Sequence, residues 1–193
     1  MNERGTTLKP LYQAVLLLCA LFLASCGGRA SEEGGLEVSD PKLDAIYQKI
    51  LVLPVEVADE FVKDYPYASG DCRTGLIAGL EMSKRFRVKL IDELPSQKER
   101  DTLIVRLKID DMRIASKVAR SLAGAFAGSS YLNVKMTLTD GHTRQVIREK
   151  DFSTHNNAFA AAWTMGSNDD SIPKDMGKII GDYITAVAPR PGF

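Results

Sequence analysis

Two long stretches of this chain alternate apolar and polar residues one by one, and a turn dipeptide ties the second to a third stretch. From Thr102 to Ile114, Leu103, Val105, Leu107 and Ile109 fall on one side of an extended chain and Arg106, Lys108 and Asp110 on the other. From Tyr131 to Thr139, Leu132, Val134, Met136 and Leu138 oppose Asn133, Lys135 and Thr137. A period of two marks a strand with one dry face and one wet face. Asp140-Gly141 then signals a tight hairpin, because both residue types tolerate the backbone such turns need. The returning strand is expected from Thr143 to Ser153, with Val146 and Phe152 pointing inward. Such a pattern commits the chain to a sheet that needs a cover on one face.

The flanks supply that cover. The β-branched run from Ile50 to Val57 reads as a first strand, with Pro54 suited to an edge or a bulge. Asp71 to Phe86 reads as a helix with Leu76, Ile77, Leu80 and Ser83 on one face and Asp71 or Ser69 as its cap. Arg87 to Ile91 alternates and gives a second strand; Asp92 to Asp101, charged and holding Pro95, is a loop. From Ile172 to Val187, Met176, Ile179, Ile180, Tyr183, Ile184 and Val187 recur at helical spacing, with Pro173 in the first turn. The order is β-α-β-β-β-β-α. It predicts an α/β two-layer sandwich, a mixed, mostly antiparallel sheet with two helices on one face.

At the amino terminus Arg4 and Lys9 precede an unbroken apolar run, Ala14–Ala24, followed by Ser25 and Cys26. The run is too short to span a bilayer comfortably, for which roughly 20 apolar residues are needed, and it fits a cleaved signal better. Apolar residues, small residues and then cysteine resemble the lipobox of bacterial lipoprotein signal peptides. That resemblance implies a diacylglyceryl group on Cys26, cleavage before it and acylation of the new amino terminus. An ordinary signal peptide cut near Ala24, with Cys26 incidental, is the alternative. Gly27 and Gly28 follow, without the aspartate that resembles an inner-membrane retention signal, which implies an outer-membrane, periplasm-facing location.

The expected organisation is therefore a signal in 1–25, a flexible tether in 26–41, one domain in 42–188 and a tail in 189–193. The tether reads GGRASEEGGLEVSDP after the cysteine and holds almost nothing apolar. Losing 25 of 193 residues leaves 168, and losing Arg4, Lys9 and Glu3 turns a balance of 25 basic and 25 acidic residues into a net charge of −1. That balance excludes a nucleic-acid binder, which needs a basic footprint, and a purely electrostatic attachment to anionic lipid. Cys19 leaves with the signal and Cys26 is tied up, so Cys72 stands alone in an oxidising compartment. It reads as a buried small hydrophobe or else as half of an intermolecular disulfide or a reactive thiol.

Two small-residue stretches with aromatic insertions, Ala119–Ser130 and Asn156–Gly166, follow strands three and five and fall at one end of the sheet. Phe126, Phe159 and Trp163 are candidates for a shared interface patch, or else fold back as core. Chemistry is sparse. His142 and His155 sit at opposite ends of a hairpin arm and cannot share a metal. Asp110-Asp111 and Asp169-Asp170 lack calcium-loop spacing, and Gly124 and Gly128 form no dinucleotide fingerprint. Neither cofactor nor metal is expected. Asp151, Ser153 and His155 share one face by parity and give the only constellation open to hydrolysis. Lys84, Arg85, Arg87 and Lys89 cluster at a helix–strand junction, which suits a helix C-terminus or, less directly, an anionic polymer such as cell-wall glycan.

The layout also resembles a bacterial lipoprotein family of unknown function. The resemblance rests on Leu122-Ala123-Gly124-Ala125-Phe126-Ala127-Gly128-Ser129-Ser130, on Leu132 to Asp140-Gly141, and on Met176 to Val187. It is similar as well to the amino-terminal domain of TolB, to curli-secretion channel lipoproteins and to lipoprotein activators of penicillin-binding proteins, over residues 48–188. The long membrane hairpins of the curli channels are missing, so a pore is not implied. These likenesses imply a non-enzymatic, membrane-anchored protein that binds a protein partner or forms a homo-oligomer in an envelope assembly, secretion or peptidoglycan-related complex. A small-ligand or glycan-binding module is the alternative, and a hydrolase the more distant one.

Overall fold

A computed structural model describes residues 39–114, 130–154 and 169–190, all within one compact unit, Leu36–Phe193. Six strands and three helices follow in the order β1 (Lys49–Val52), β2 (Glu56–Val57), α1 (Asp59–Val62), α2 (Ala68–Met82), β3 (Arg87–Leu90), β4 (Thr102–Arg113), β5 (Tyr131–Asp140), β6 (Val146–Ser153) and α3 (Ile172–Val187). The sheet order is β3-β1-β4-β5-β6, with β2 on β4 beyond the end of β1. β1 runs parallel to both β3 and β4, while the long β4–β5–β6 ladders are antiparallel. This is the expected mixed two-layer sandwich.

The first strand differs from expectation in one respect. The run 50–57 is broken into β1, paired with Thr102–Val105, and β2, paired with Lys108–Ile109. Pro54 lies in the gap, exposed, and has no N–H to give the ladder. The hairpin is also wider than a two-residue turn. β5 ends at Asp140 and β6 begins at Val146, so Thr143 lies in the turn.

Val146 does not point inward: it is 57% exposed. The register shows why. Leu138 pairs with Arg148 but Thr139 with Val146, so Ile147 is an extra residue and the strand flips face across it. Val146 therefore lies beside Thr139 on the wet face, whereas Phe152, beyond the bulge, is fully buried.

The core lies between the sheet and the helix pair. Ile50 and Val52, the four alternating apolar residues of β4, those of β5, and Phe152 meet Cys72, Leu76 and Leu80 of α2 and Met176, Ile180, Tyr183 and Ile184 of α3. On the opposite face a small separate cluster, Leu51, Leu53 and Ile104 with Ile91, is the only buried apolar group among the described residues.

The two long helices touch backbone to backbone. Gly75 and Gly79 on α2 face Gly177 and Gly181 on α3. A Cβ on Gly75 would stand 1.8 Å from the Lys174 carbonyl oxygen, and one on Gly177 2.0 Å from that of Cys72. Each glycine costs about 1 kcal/mol of helix propensity. Four of them are kept where only the absence of a side chain allows the approach.

Candidate functional site

The chain joins the domain at the β6 edge, on the helix-covered face. The Asp40 carboxylate accepts from Lys150 Nζ at 2.5 Å and from the Tyr183 hydroxyl at 2.7 Å. Arg148 donates to the Pro41 carbonyl at 2.9 Å and to the Tyr183 oxygen at 3.2 Å. Lys42 Nζ donates to the Ala186 carbonyl, and the Leu43 N–H to that of Val187 at 2.9 Å. Lys150 also lies 4.9 Å from the Tyr183 ring centroid. The Lys150 bond, then the Tyr183 bond, holds the Asp40 carboxyl below its usual range; burial, then the Asp40 bond, pushes the Tyr183 hydroxyl up to about 12. Asp40 and Pro41, expected as the end of a flexible tether, are thus fixed to the domain.

A cavity of about 530 Å³ opens at the other edge, between β3, β1 and the start of β4. Register puts Arg87, Lys49 and Thr102 in one row of the sheet and Lys89 in the next, beside Leu51. Leu51 belongs to the small outer cluster, so these side chains lie on the face without helices. Gln48 and Val88, with Glu99, Arg100 and Asp101 from the loop before β4, complete the lining.

The loop wall is built firmly. Asp101 holds a left-handed backbone, φ 53°, and its carbonyl accepts from the N–H groups of Gln48 and Lys49 at 2.9 and 3.1 Å. Gly141 exchanges bonds with this wall, accepting from the Glu99 N–H at 3.2 Å and donating to the Thr102 carbonyl at 2.8 Å. A Cβ on Gly141 would meet that same Thr102 oxygen at 2.8 Å, so the hairpin glycine serves this contact. Arg144 reaches the Pro95 and Gln97 carbonyls from the same turn. The turn itself is wound around Asp140, which accepts from the His142 and Thr143 N–H groups, the Thr143 hydroxyl and, on its other oxygen, the Tyr47 hydroxyl. Burial alone would raise the Asp140 carboxyl; the donors from Thr143, Tyr47 and His142 outweigh it and hold it low.

Charge in the cavity is uneven. Four cations, Lys49, Arg87, Lys89 and Arg100, line it against two carboxylates, Glu99 and Asp101. Lys49 and Glu99 pair at 2.5 Å, and that bond, the largest influence on Glu99, holds its carboxyl low. Arg87, Lys89 and Arg100 are exposed and make no ion pair or side-chain hydrogen bond among the described residues. The basic junction of the sequence thus divides. Arg85 turns the other way and donates to the Thr185, Ala188 and Pro189 carbonyls at 2.6, 2.8 and 3.0 Å, closing the end of α3. Lys84 takes the left-handed position after α2, φ 52°.

Other sequence candidates are placed as follows. Cys26, Phe126, Phe159, Trp163 and His155 lie outside the described residues. Asp151 and Ser153 lie on the wet face of β6, opposite Lys135 and Asn133. Cys72 is free, fully buried beneath the helix crossing, and its thiol is pushed up to about 12 by burial and then by Asp71. A sulfur so placed meets another chain only if the helix pair opens. α2 begins at Ala68 and Asp71 and Ser69 do not cap it; the Ser69 hydroxyl donates to the Val55 carbonyl at 2.6 Å. Among the described residues no three potential metal ligands converge, and no helix is long and apolar enough to cross a membrane. The convergence of the β3–β1 edge and the 95–101 loop was not legible in sequence, because nothing local says that two strands and a distant hairpin meet there.

No curated protein matches the chain. Solved structures give likenesses of low identity. The PelC dodecamer from Paraburkholderia phytofirmans is 17% identical, with a TM-score of 0.46 over 75% of this chain and 94% of that one. XCC0632 from Xanthomonas campestris, of family DUF330, is 10% identical, with a TM-score of 0.43 over 77% and 86%. Lipoprotein GNA1162 from Neisseria meningitidis is 10% identical, with a TM-score of 0.37 over 72% and 99%. Residues 73–186, which hold both Gly-x-x-x-Gly spacings and the strands from β3 to β6, match the family described as a domain of unknown function, DUF4410, and the chain belongs to that family.

Proposed function

We propose that this protein is a lipid-anchored, non-enzymatic binding component of the bacterial envelope, held to the outer membrane through Cys26 and facing the periplasm. It acts by docking a partner, or further copies of itself, within an assembly, secretion or peptidoglycan-related complex. One observation carries the reading. The chain from the tether is clamped on the helix-covered face at the β6 edge, whereas the cation-lined cavity opens on the uncovered face at the β3–β1 edge. Three strand spacings separate β1 from β6, roughly 14 Å. The clamp and the cavity therefore lie at different edges and faces of the domain, and a ligand in the cavity leaves the clamp untouched. The cavity also favours the second reading, a ligand- or glycan-binding module, over a hydrolase built on Asp151, Ser153 and His155.

The test is made on the full chain expressed in a Gram-negative host. Lipid labelling and mass spectrometry of the amino-terminal peptide should show acylated Cys26, and Cys26→Ser should abolish the label. Light scattering of the protein in nonionic detergent then reads its assembly. A mature protein that starts before Cys26, or carries no lipid, would sink the anchored reading.

A further inference from the structure

We infer that the cavity between β3, β1 and the 95–101 loop binds an acidic glycan through its carboxylates. This rests on the second reading above, a ligand- or glycan-binding module, and names the ligand class for it. Arg87, Lys89 and Arg100 line the cavity with no ion pair or side-chain hydrogen bond among the described residues, and of the two carboxylates there Glu99 is paired with Lys49, with Lys89 adding only a weaker through-space attraction. The net balance of the lining is two positive charges. Two of the free cations are guanidinium forks, which match a carboxylate with two parallel hydrogen bonds. A volume of about 530 Å³ accommodates one or two sugar units and lies within the ordinary range of ligand sites.

Three features decide among anionic ligands. Of the lining residues only Val88 is apolar. A protein partner is anchored by buried aromatic and aliphatic side chains, for which this cavity has no seat, whereas a charged polymer needs none. The cavity lies on the face and edge opposite the clamp at Asp40, so a polymer runs through it without meeting residues 40–43. Its wall is pinned by Asp101, Gly141 and Arg144, so little ordering is lost on binding.

The probe is polygalacturonate, titrated calorimetrically into full-length protein in nonionic detergent at low and at high salt, with dextran as the uncharged control. The wild type should bind polygalacturonate and not dextran, more weakly at high salt. Arg87→Glu with Lys89→Glu should lose about tenfold or more in affinity, as removal of close charge pairs does. Arg106→Glu, on the same face but paired with Glu56 at 3.8 Å and outside the cavity, should stay within about twofold. Arg100→Gln, a milder loop change, gives the same reading if the double variant does not fold. Absence of wild-type binding, an equal loss in Arg106→Glu, or tighter binding of phosphatidylglycerol vesicles or of polyglutamate than of polygalacturonate overturns the proposal. Acylation of Cys26 is scored on the same preparations, so failure of the anchor and failure of the ligand are separate results.

Discussion

Replacing Gly75 by alanine should destabilise this protein, although the same change in an ordinary helix interior stabilises it by about 1 kcal/mol. The new Cβ would lie 1.8 Å from the Lys174 carbonyl oxygen, whereas even a weak C–H···O hydrogen bond keeps carbon and oxygen about 3.3 Å or more apart. The obstacle is helix backbone, so no rotamer relieves it; the helices must part by more than 1 Å. A gap of 0.5–1 Å forfeits about a quarter to a half of the dispersion energy of the atoms lining it, and overpacking typically costs about 1–3 kcal/mol. The net expectation is about 2–3 kcal/mol of destabilisation for Gly75→Ala and the same for Gly177→Ala, whose Cβ meets the Cys72 carbonyl at 2.0 Å. Gly70 is the internal control: it lies in the same helix with nothing within 4 Å of an added Cβ, so Gly70→Ala should stabilise by about 0.5–1 kcal/mol. Urea midpoints by far-ultraviolet circular dichroism read all three. Gly75→Ala or Gly177→Ala with a midpoint at or above wild type would refute the backbone contact.

Three further outcomes follow from the packing. Cys72, buried with its thiol pushed up to about 12, should resist alkylation at neutral pH until the protein unfolds, and reductant should leave the native mass unchanged; rapid native labelling of its peptide would contradict this. The Asp40 clamp stabilises the fold above the unfolded carboxyl value of 3.8, and that contribution is lost as pH falls through the lowered folded value. The urea midpoint of Asp40→Asn should therefore drop less than that of wild type between neutral pH and pH about 3. Arg85→Ala should cost about 1–3 kcal/mol and speed amide exchange in the last turn of α3, because three carbonyls lose a charged donor; Arg85→Lys, without the fork, should restore only part.

Much of this was written into local pattern. The alternation of β4 and β5 and the 3.6-residue recurrence of α3 are set by which face must be dry, and both read directly; α3 runs from Ile172 to Val187 as its periodicity predicts. What failed locally failed where a backbone detail intervenes. Pro54 breaks a run that β-branched content alone makes continuous. One extra residue, Ile147, sends Val146 to the wet side, and no composition rule marks it. The twin Gly-x-x-x-Gly spacings, 75–79 and 177–181, were visible but silent, since a glycine in a helix reads as a weakness until a partner helix explains it. The cavity was least accessible to reading: Arg85 and Arg87 are two residues apart, yet one closes a helix and the other faces a cavity.

The clamp at residues 40–43 has a mechanical consequence. Under the anchored, ligand-binding proposal, a domain tethered at one end and engaged at another would carry tension whenever its ligand moved relative to the membrane. That load arrives along the chain before β1 and is taken first by Lys150, Tyr183, Arg148 and the Val187 carbonyl. These belong to β6 and the end of α3. β1, six residues further on and central to the cavity, is shielded from the pull as long as they hold. Under such a load the attachment strap would yield first, lengthening the leash by a few residues and leaving the cavity its shape.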